Sequence, residues 1–350
     1  MKIVSWNIEW MNNWFVGYDQ VAFRERYDPR GRPQDAITDV AALCERVAQV
    51  IKDLAPDVLC VQEGPSDRRE IELFVSTYLT DEAGQGLYRV FGGYDGGAQK
   101  IYILVNQHGP VADAWEPDDA LTRSLSEEWE CDIDGDRVLQ PYHFTRRPVV
   151  VDCQYEGETM RVLALHTKSK YIHDGEAKWK SPAKRPEFIE EALKHRRRIS
   201  AESMRVRRYL DAVLEEKPHQ AVVVAGDCND GPGADYFEAL YLTHNVTDIL
   251  LGSTYYPAFQ FEHAFIHRLP RTQRYTAIFD DFVTGEENKR LVLDHVLVSP
   301  VLKSGGGTTI GLLNAGIGHR EFERAIDEGA ASSRQRYPSD HRPAFAIFGP

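Results

Sequence analysis

Apolar residues in this chain come mostly in short runs separated by polar or irregular stretches. Runs rich in Val, Ile, Leu and aromatic residues predict strands over 2–6, 58–62, 88–91, 101–105, 148–154, 160–166, 221–225, 275–279, 291–299 and 343–348. Two segments keep a helical period instead. Val40, Leu43, Val47, Val50, Ile51 and Leu54 predict a helix that ends at Ala55-Pro56, because proline cannot continue the backbone hydrogen bonding. A longer helix is expected over 186–216, where Ile189, Leu193, Ile199, Met204, Leu210 and Leu214 form an intermittent apolar face and Lys217-Pro218 stops it. It leads directly into Ala221-Val-Val-Val-Ala-Gly-Asp227. Strands and helices in this mixed order indicate sheets covered by helices, an α/β or α+β layer architecture. The segments near 11–35, 106–145, 170–185 and 303–338 are polar or irregular and read as loop insertions, where substrate choice usually resides. With no repeat or low-complexity linker, one domain over 1–350 is expected.

Composition narrows the class. With 42% hydrophobic and 27% charged residues over 350 positions, the chain is an ordinary folded protein able to close around a single core. It has neither an apolar stretch of signal-peptide length at its start nor a run able to cross a bilayer, so a cytoplasmic protein without a membrane span is expected. Five cysteines, Cys44, Cys60, Cys131, Cys153 and Cys228, lack metal-type spacing and are expected to be reduced structural thiols. A formal charge of −13 opposes nonspecific binding to long nucleic acid, which is held through phosphate contacts to Lys and Arg. The basic residues between Lys168 and Arg208 leave two readings open: a groove for a phosphate-bearing substrate, or a solvated helix surface balanced by Glu187, Glu190, Glu191 and Glu202.

Polar residues stand where the apolar runs end. Asn7 follows Ile3-Val-Ser-Trp6, Glu63 follows Val58-Leu-Cys-Val-Gln62, His166 follows Val162-Leu-Ala-Leu165, and Asp227 and Asn229 follow Ala221-Val-Val-Val-Ala-Gly226. Singly, each has an ordinary structural explanation: a turn residue, a helix-start carboxylate, a core histidine, an N-cap. Together they supply hard oxygen ligands, an acid/base pair and amide donors, the set that metal-assisted hydrolysis of a phosphate ester needs. Asp294 falls in the middle of the apolar run Leu291-Val-Leu-Asp-His-Val-Leu-Val-Ser299, where an unpartnered carboxylate is costly. Ser339-Asp-His341 offers it a partner, Asp294 orienting the His341 imidazole and stabilising its protonated form, with Asp340 left free to approach a metal.

The set Trp6-Asn7, Gln62-Glu63, His166, Gly226-Asp-Cys-Asn229, Leu293-Asp-His295 and Ser339-Asp-His341, in this order from end to end of the chain, resembles the endonuclease/exonuclease/phosphatase superfamily. The resemblance implies a four-layered α/β sandwich, two mixed sheets face to face with helices outside, and a divalent-metal site at one rim. It implies that Glu63 is the principal Mg²⁺ ligand, assisted by Asn7 and Asp340, with Mn²⁺ able to substitute. Asp227, oriented by Asn229, and His341, oriented by Asp294, are then the two candidates for handling the attacking water, and His166 binds phosphate or protonates the leaving oxygen. Arg146 in Arg146-Arg-Pro148 matches the Arg-x-Pro of the deoxyribonuclease-like branch, placing a guanidinium on a phosphate oxygen; Arg147 fits less well. Lys168 in His166-Thr-Lys168 resembles bacterial members and is either a substrate contact or a solvated lysine.

The same comparison disfavours some branches. His166-Thr-Lys168 stands where abasic-site endonucleases carry a Tyr-x-Pro-Asn type element, and Gly226-Asp-Cys-Asn-Asp-Gly231 lacks the extra Trp and basic residues of inositol phosphatases. The expected function is therefore Mg²⁺-dependent hydrolysis of phosphodiester bonds, with DNA or RNA as substrate. The alternatives are a phosphatase or lipid phosphodiesterase acting on a small phosphorylated molecule and, more remotely, an inactive binding protein of the same fold. The aromatic set Trp10, Trp14, Phe15 and Tyr18 either stacks on bases or caps the core.

Overall fold

Side chains alternate in direction along a strand, so a strand buried on both faces feeds two apolar layers at once. That alternation organises this protein. The computed structural model describes residues 1–17, 20–94, 97–241, 245–303 and 308–350. Its strands are β1 (Lys2–Asn7), β2 (Phe15–Gly17), β3 (Gln20–Phe23), β4 (Val58–Gly64), β5 (Tyr88–Gly92), β6 (Lys100–Asn106), β7 (Asp113–Trp115), β8 (Trp129–Cys131), β9 (Gln140–Tyr142), β10 (Val149–Tyr155), β11 (Glu158–His166), β12 (Ala221–Asp227), β13 (Glu262–His263), β14 (Ala277–Asp281), β15 (Glu286–Leu291), β16 (Asp294–Val298), β17 (Gly311–Ile317) and β18 (Ala344–Gly349). Two six-stranded sheets form, ordered β17-β18-β1-β4-β6-β5 and β13-β16-β12-β11-β10-β7. Both are mixed: β1 runs parallel to β4 and antiparallel to β18, while β12 runs parallel to β11 and antiparallel to β16.

Ile3, Val58, Cys60 and Ile103 of the first sheet and Val151, Val162, Val223 and Val296 of the second share one core between the sheets. Their sequence neighbours face the other way. Val4, Leu59, Val61 and Leu104 pack under the helices α1 (Val40–Leu54) and α2 (Arg68–Tyr78). Leaving aside two short helices, α3 (Ala120–Ser124) and α4 (Gly175–Lys180), the long α5 (Arg185–Glu216) covers the opposite side, where Ile199, Val206, Leu210 and Val213 meet Val150, Leu163, Val222 and Val224. Helices, sheet, sheet and helix make the expected four-layered α/β sandwich. The two predicted helices hold almost to the residue: Asp39 caps α1 by accepting from the Ala42 amide, and Ala55 leaves it in a left-handed turn before Pro56.

Other expectations need correction. Segment 303–338, read as a loop, contains β17, an edge strand of the first sheet, whose apolar run is diluted by Gly311, Asn314 and Gly316 and broken by a register shift between Leu312 and Asn314. Segment 106–145 contains β7, at the edge of the second sheet, together with α3 and the β8–β9 ribbon; 11–35 contains the β2–β3 ribbon, and 170–185 contains α4. The strand expected over 291–299 is divided, β15 ending at Leu291 and β16 beginning at Asp294. Asp294 thus opens a strand and does not sit in its middle. The reason is local: the amides of Leu293 and Asp294 both donate to Thr276 Oγ1, at 2.9 and 3.1 Å, which turns the chain there. The five cysteines are unpaired and four are buried. No helix among the described residues is long and apolar enough to cross a membrane.

Candidate active site

The alternation that fills the core also delivers its last polar rung. His166, Asp227 and Asp294 have the same parity as Val162, Val223 and Val296, so all three face the inter-sheet side. Register aligns them, His166 beside Asp227 and Asp227 beside Asp294 on three adjacent strands. From the first sheet Asn7, with the parity of Ile3, faces them across the seam. Its Nδ2 donates to Asp227 Oδ2 at 2.9 Å, joining the sheets at this rim. His166 Nε2 lies 3.5 Å from the same carboxylate oxygen and His341 Nε2 lies 3.9 Å from it. Asn229 orients Asp227 through its backbone, whose N–H donates to Oδ1 at 2.7 Å, while its side chain donates to the Thr167 carbonyl.

Simple alternation would turn Glu63 away from the seam, since Gln62 is the register partner of Asn7. A register irregularity between Val61 and Gly64 and a left-handed backbone at Glu63, φ 56°, re-aim it. Glu63 then accepts from the Trp10 amide at 2.8 Å and from Gln99 Nε2, and approaches Asn7 Nδ2 at 3.4 Å. Glu9, Trp10 and Asn229 are left-handed as well, with φ of 51°, 50° and 50°. Non-glycine residues seldom occupy this region, and their gathering at one rim is the kind of strain that concentrates at functional sites.

His341 is positioned by both neighbours in Ser339-Asp-His341. Ser339 Oγ donates to the Asn7 carbonyl at 2.6 Å and accepts from the His341 amide, and the Trp6 indole donates to the His341 carbonyl at 2.8 Å. The ring turns its Nδ1 to Asp294 Oδ2 at 2.7 Å. Asp340, alongside, comes within 3.9 Å of His341 Nε2.

Charge separates the two histidines. Burial, then Arg146, His341 and Lys168, holds His166 well below the ordinary imidazole value, so it is neutral. Burial also acts against a proton on His341, but Asp294, Asp227 and Asp340 outweigh it and keep the ring protonated well above its ordinary value. Burial pushes Asp227 up to about 7 against the opposing pull of His341. Burial and then Asp340 raise Glu63; burial raises Glu9 to about 8, with Arg334 opposing and Asp340 and Glu63 adding to the rise.

These carboxylates fit a hard divalent cation. Asp340 raises the proton affinity of Glu63, and Asp340 and Glu63 raise that of Glu9, which is the condition that a bound cation relieves. Asp227, Asp294 and His341 also form a buried group whose ligand atoms all lie within 4.8 Å of one another, close enough to hold an ion. In that group, however, the Asp294–His341 hydrogen bond already employs one donor and one acceptor, so the oxygen-rich side near Glu63 is the better fit to Mg²⁺.

Arg146 reaches this rim, donating to the Thr167 carbonyl at 3.2 Å and to Gln99 Oε1, so Gln99 links it to Glu63. Lys168 follows His166 and sends its Nζ to the Ser169 carbonyl. Glu9 and Gln99 are absent from the sequence reading. The aromatic set divides: Trp14 and Phe15 are buried in the core under α1 and α2, Trp10 is 49% exposed beside Glu63, and Tyr18 lies outside the described residues. A cavity of about 480 Å³ between α5 and the β8–β9 ribbon, lined by Trp129, Met204, Arg205 and Tyr241, contains none of the rim residues.

A four-layered sandwich with this rim defines a phosphoesterase class. The chain belongs to the endonuclease/exonuclease/phosphatase family, whose model matches residues 4–341. Members of the family generally hydrolyse phosphoester bonds and depend on metal. Among solved structures, the 3'-5' exonuclease NExo from Neisseria meningitidis is similar at 17% identity and a TM-score of 0.50, over 100% of each chain. The human nocturnin catalytic domain is similar at 12% identity and a TM-score of 0.50, over 100% of this chain and 94% of that one. TDP2 from Caenorhabditis elegans aligns at 15% identity and a TM-score of 0.49, over 100% and 97%. At these identities the likeness is one of fold. No curated protein matches the sequence.

Proposed function

We propose that the rim hydrolyses phosphodiester bonds in DNA or RNA. The observation that carries this is the convergence on Asp227 Oδ2 of Asn7 at 2.9 Å, His166 at 3.5 Å and His341 at 3.9 Å, with Glu63 beside Asn7. Glu63, Asn7 and Asp340 would hold Mg²⁺, with Glu9 adding a fourth oxygen donor. When bound, the ion polarises a phosphoryl oxygen and offsets the charge that develops on it.

Asp227, with its proton affinity near neutrality, takes a proton from the attacking water. His341, kept as imidazolium, holds a phosphoryl oxygen and protonates the leaving oxygen as the bond from phosphorus to that oxygen breaks. His166, being neutral, donates one N–H to the phosphate and is a poor acid. Arg146 pairs with a further phosphate oxygen. The exposed Trp10 beside Glu63 supports a base-bearing substrate, since an indole face stacks on any base. The net charge of −13 favours short or single-stranded substrates over long duplex.

The test is hydrolysis, with Mg²⁺ or Mn²⁺, of single- and double-stranded DNA, RNA, bis-p-nitrophenyl phosphate, inositol phosphates and sphingomyelin by wild type, Glu63→Ala and His341→Ala. Cleavage of polynucleotide by wild type and by neither variant is the expected result. Turnover confined to inositol phosphates or sphingomyelin would replace the nuclease reading by the phosphatase or lipid one, and no turnover at all would leave a binding protein.

A further inference from the structure

Arg198 stands one helical turn before Glu202 on α5, so the two side chains leave the same face of the helix. Glu202 is fully buried and its oxygens are already engaged. Oε1 accepts from the Thr145 amide at 2.9 Å, Thr145 Oγ1 at 2.7 Å and Tyr142 OH at 2.9 Å, and Oε2 accepts from the Lys168 amide at 2.8 Å. Glu191, the other carboxylate near Lys168, is bound by Lys178 Nζ at 2.8 Å.

Among the described residues, none of the cations at this place forms an ion pair. Arg146 and Lys168 donate to neutral acceptors, and Arg198 makes no hydrogen bond or ion pair among the described residues, its Nε being buried without an acceptor. Of the cations nearby on α5, Lys194 is paired with Asp134, Arg196 with Asp235 and Arg207 with Asp211, while Arg197 donates to the Asp134 carbonyl. Lys168 registers the crowding, since burial and then Arg146 and Arg198 hold it below the ordinary lysine value. A buried guanidinium nitrogen without a partner is costly, and an anion arriving there satisfies it.

We propose that Arg198, with Lys168, forms a second phosphate subsite beside the scissile-phosphate position at Arg146 and His166, so that the protein takes substrates with consecutive phosphates. This rests on the nuclease reading above and narrows it to oligonucleotides over isolated phosphodiesters. It also resolves the basic stretch of α5: most of its cations belong to the solvated or salt-bridged surface, and Arg198 turns to the substrate.

The experiment compares wild type, Arg198→Gln and Lys217→Gln, the last removing the same charge at the far, exposed end of α5. Anisotropy of fluorescein-labelled dT12 in Ca²⁺ measures binding, and hydrolysis of dT12 and of bis-p-nitrophenyl phosphate in Mg²⁺ measures turnover. Arg198→Gln is expected to weaken dT12 binding about tenfold and to lower the slope of log affinity against log salt by about one phosphate contact, with Lys217→Gln within twofold of wild type. Its loss of kcat/KM on dT12 should exceed its loss on bis-p-nitrophenyl phosphate at least fivefold. Equal losses on the two substrates, equal losses in the two variants, or wild-type binding by Arg198→Gln would each overturn the subsite. If wild type binds dT12 through Arg198 yet never cleaves it, the nuclease reading falls and the subsite stands.

Discussion

Asp294 and His341 meet through a 2.7 Å hydrogen bond between Oδ2 and Nδ1, with Asp294 wholly removed from solvent. A carboxylate so placed fixes the ring's orientation and favours its protonated form. Asp294→Asn keeps the shape and removes the charge, so kcat should fall by about 10²–10⁴ with little change in circular dichroism. The His341 titration followed by NMR should move downward, because the counter-charge is gone. A variant that retains kcat within threefold of wild type would sink the proposed role of the pair.

Glu9 gives a prediction for the metal-free protein. Burial, Asp340 and Glu63 raise its carboxyl to about 8 in the fold, above its ordinary value of 4.5. A raised carboxyl destabilises the fold increasingly as pH climbs from the ordinary value through the folded one, since the unfolded chain ionises first. In EDTA at pH 8, Glu9→Gln should therefore be more stable than wild type by roughly 1–3 kcal/mol in urea melts, and the gap should close toward pH 5. Added Mg²⁺ should stabilise wild type more than the variant. Equal urea midpoints at pH 8 would argue against carboxylate crowding.

Trp10 and Trp14 should behave oppositely. Trp10 is half exposed, so Trp10→Ala should leave the melting temperature nearly unchanged while weakening single-stranded DNA binding by about 1–3 kcal/mol, the worth of one stacked base. Trp14 is buried against Phe74, and Trp14→Ala should cost about 3–5 kcal/mol of stability. Anisotropy and chemical denaturation on both variants check this; unchanged DNA affinity in Trp10→Ala removes the stacking role.

Next to the rim carboxylate Asp294, the buried His295 and its partner His263 make the fold acid-sensitive. His263 Nε2 lies 3.0 Å from His295 Nδ1, and His295 Nε2 lies 2.7 Å from the Asp230 carbonyl. Burial, and for His263 also the repulsion of His295, lowers both below the ordinary 6.5. The unfolded chain protonates first, so stability is fully present above about 6.5 and declines as pH falls, by up to about 1.4 kcal/mol per pH unit for each ring. His263→Gln should flatten the dependence between pH 6.5 and 5 by about one proton in urea melts; an unaltered slope would mean that His263 takes no part.

What was legible in the sequence follows from how each residue is placed. Asn7, His166 and Asp227 end apolar runs, and a strand carries its last inward residue to the rim without help from elsewhere, so pattern alone located them. The partnership of Asp294 with His341 was also readable, from the cost of burying a lone carboxylate, but its position was not, because Thr276 draws off the amides of Leu293 and Asp294 and starts the strand late. Glu9 stayed hidden because its role depends on two successive left-handed residues that no periodicity records. Gln99 comes to the rim by tertiary packing. β17 escaped because its glycines and asparagine thin the apolar signal.

The hydrogen bond from Asn7 to Asp227 spans two β-layers whose shared interior is apolar. Activity therefore reports on whether those layers are closed. A fluctuation that parts them at one end by an ångström or two would silence the proposed hydrolysis while leaving every helix and nearly all of the secondary structure intact, so turnover should be the most sensitive thermometer of this fold, failing on heating before circular dichroism registers a change.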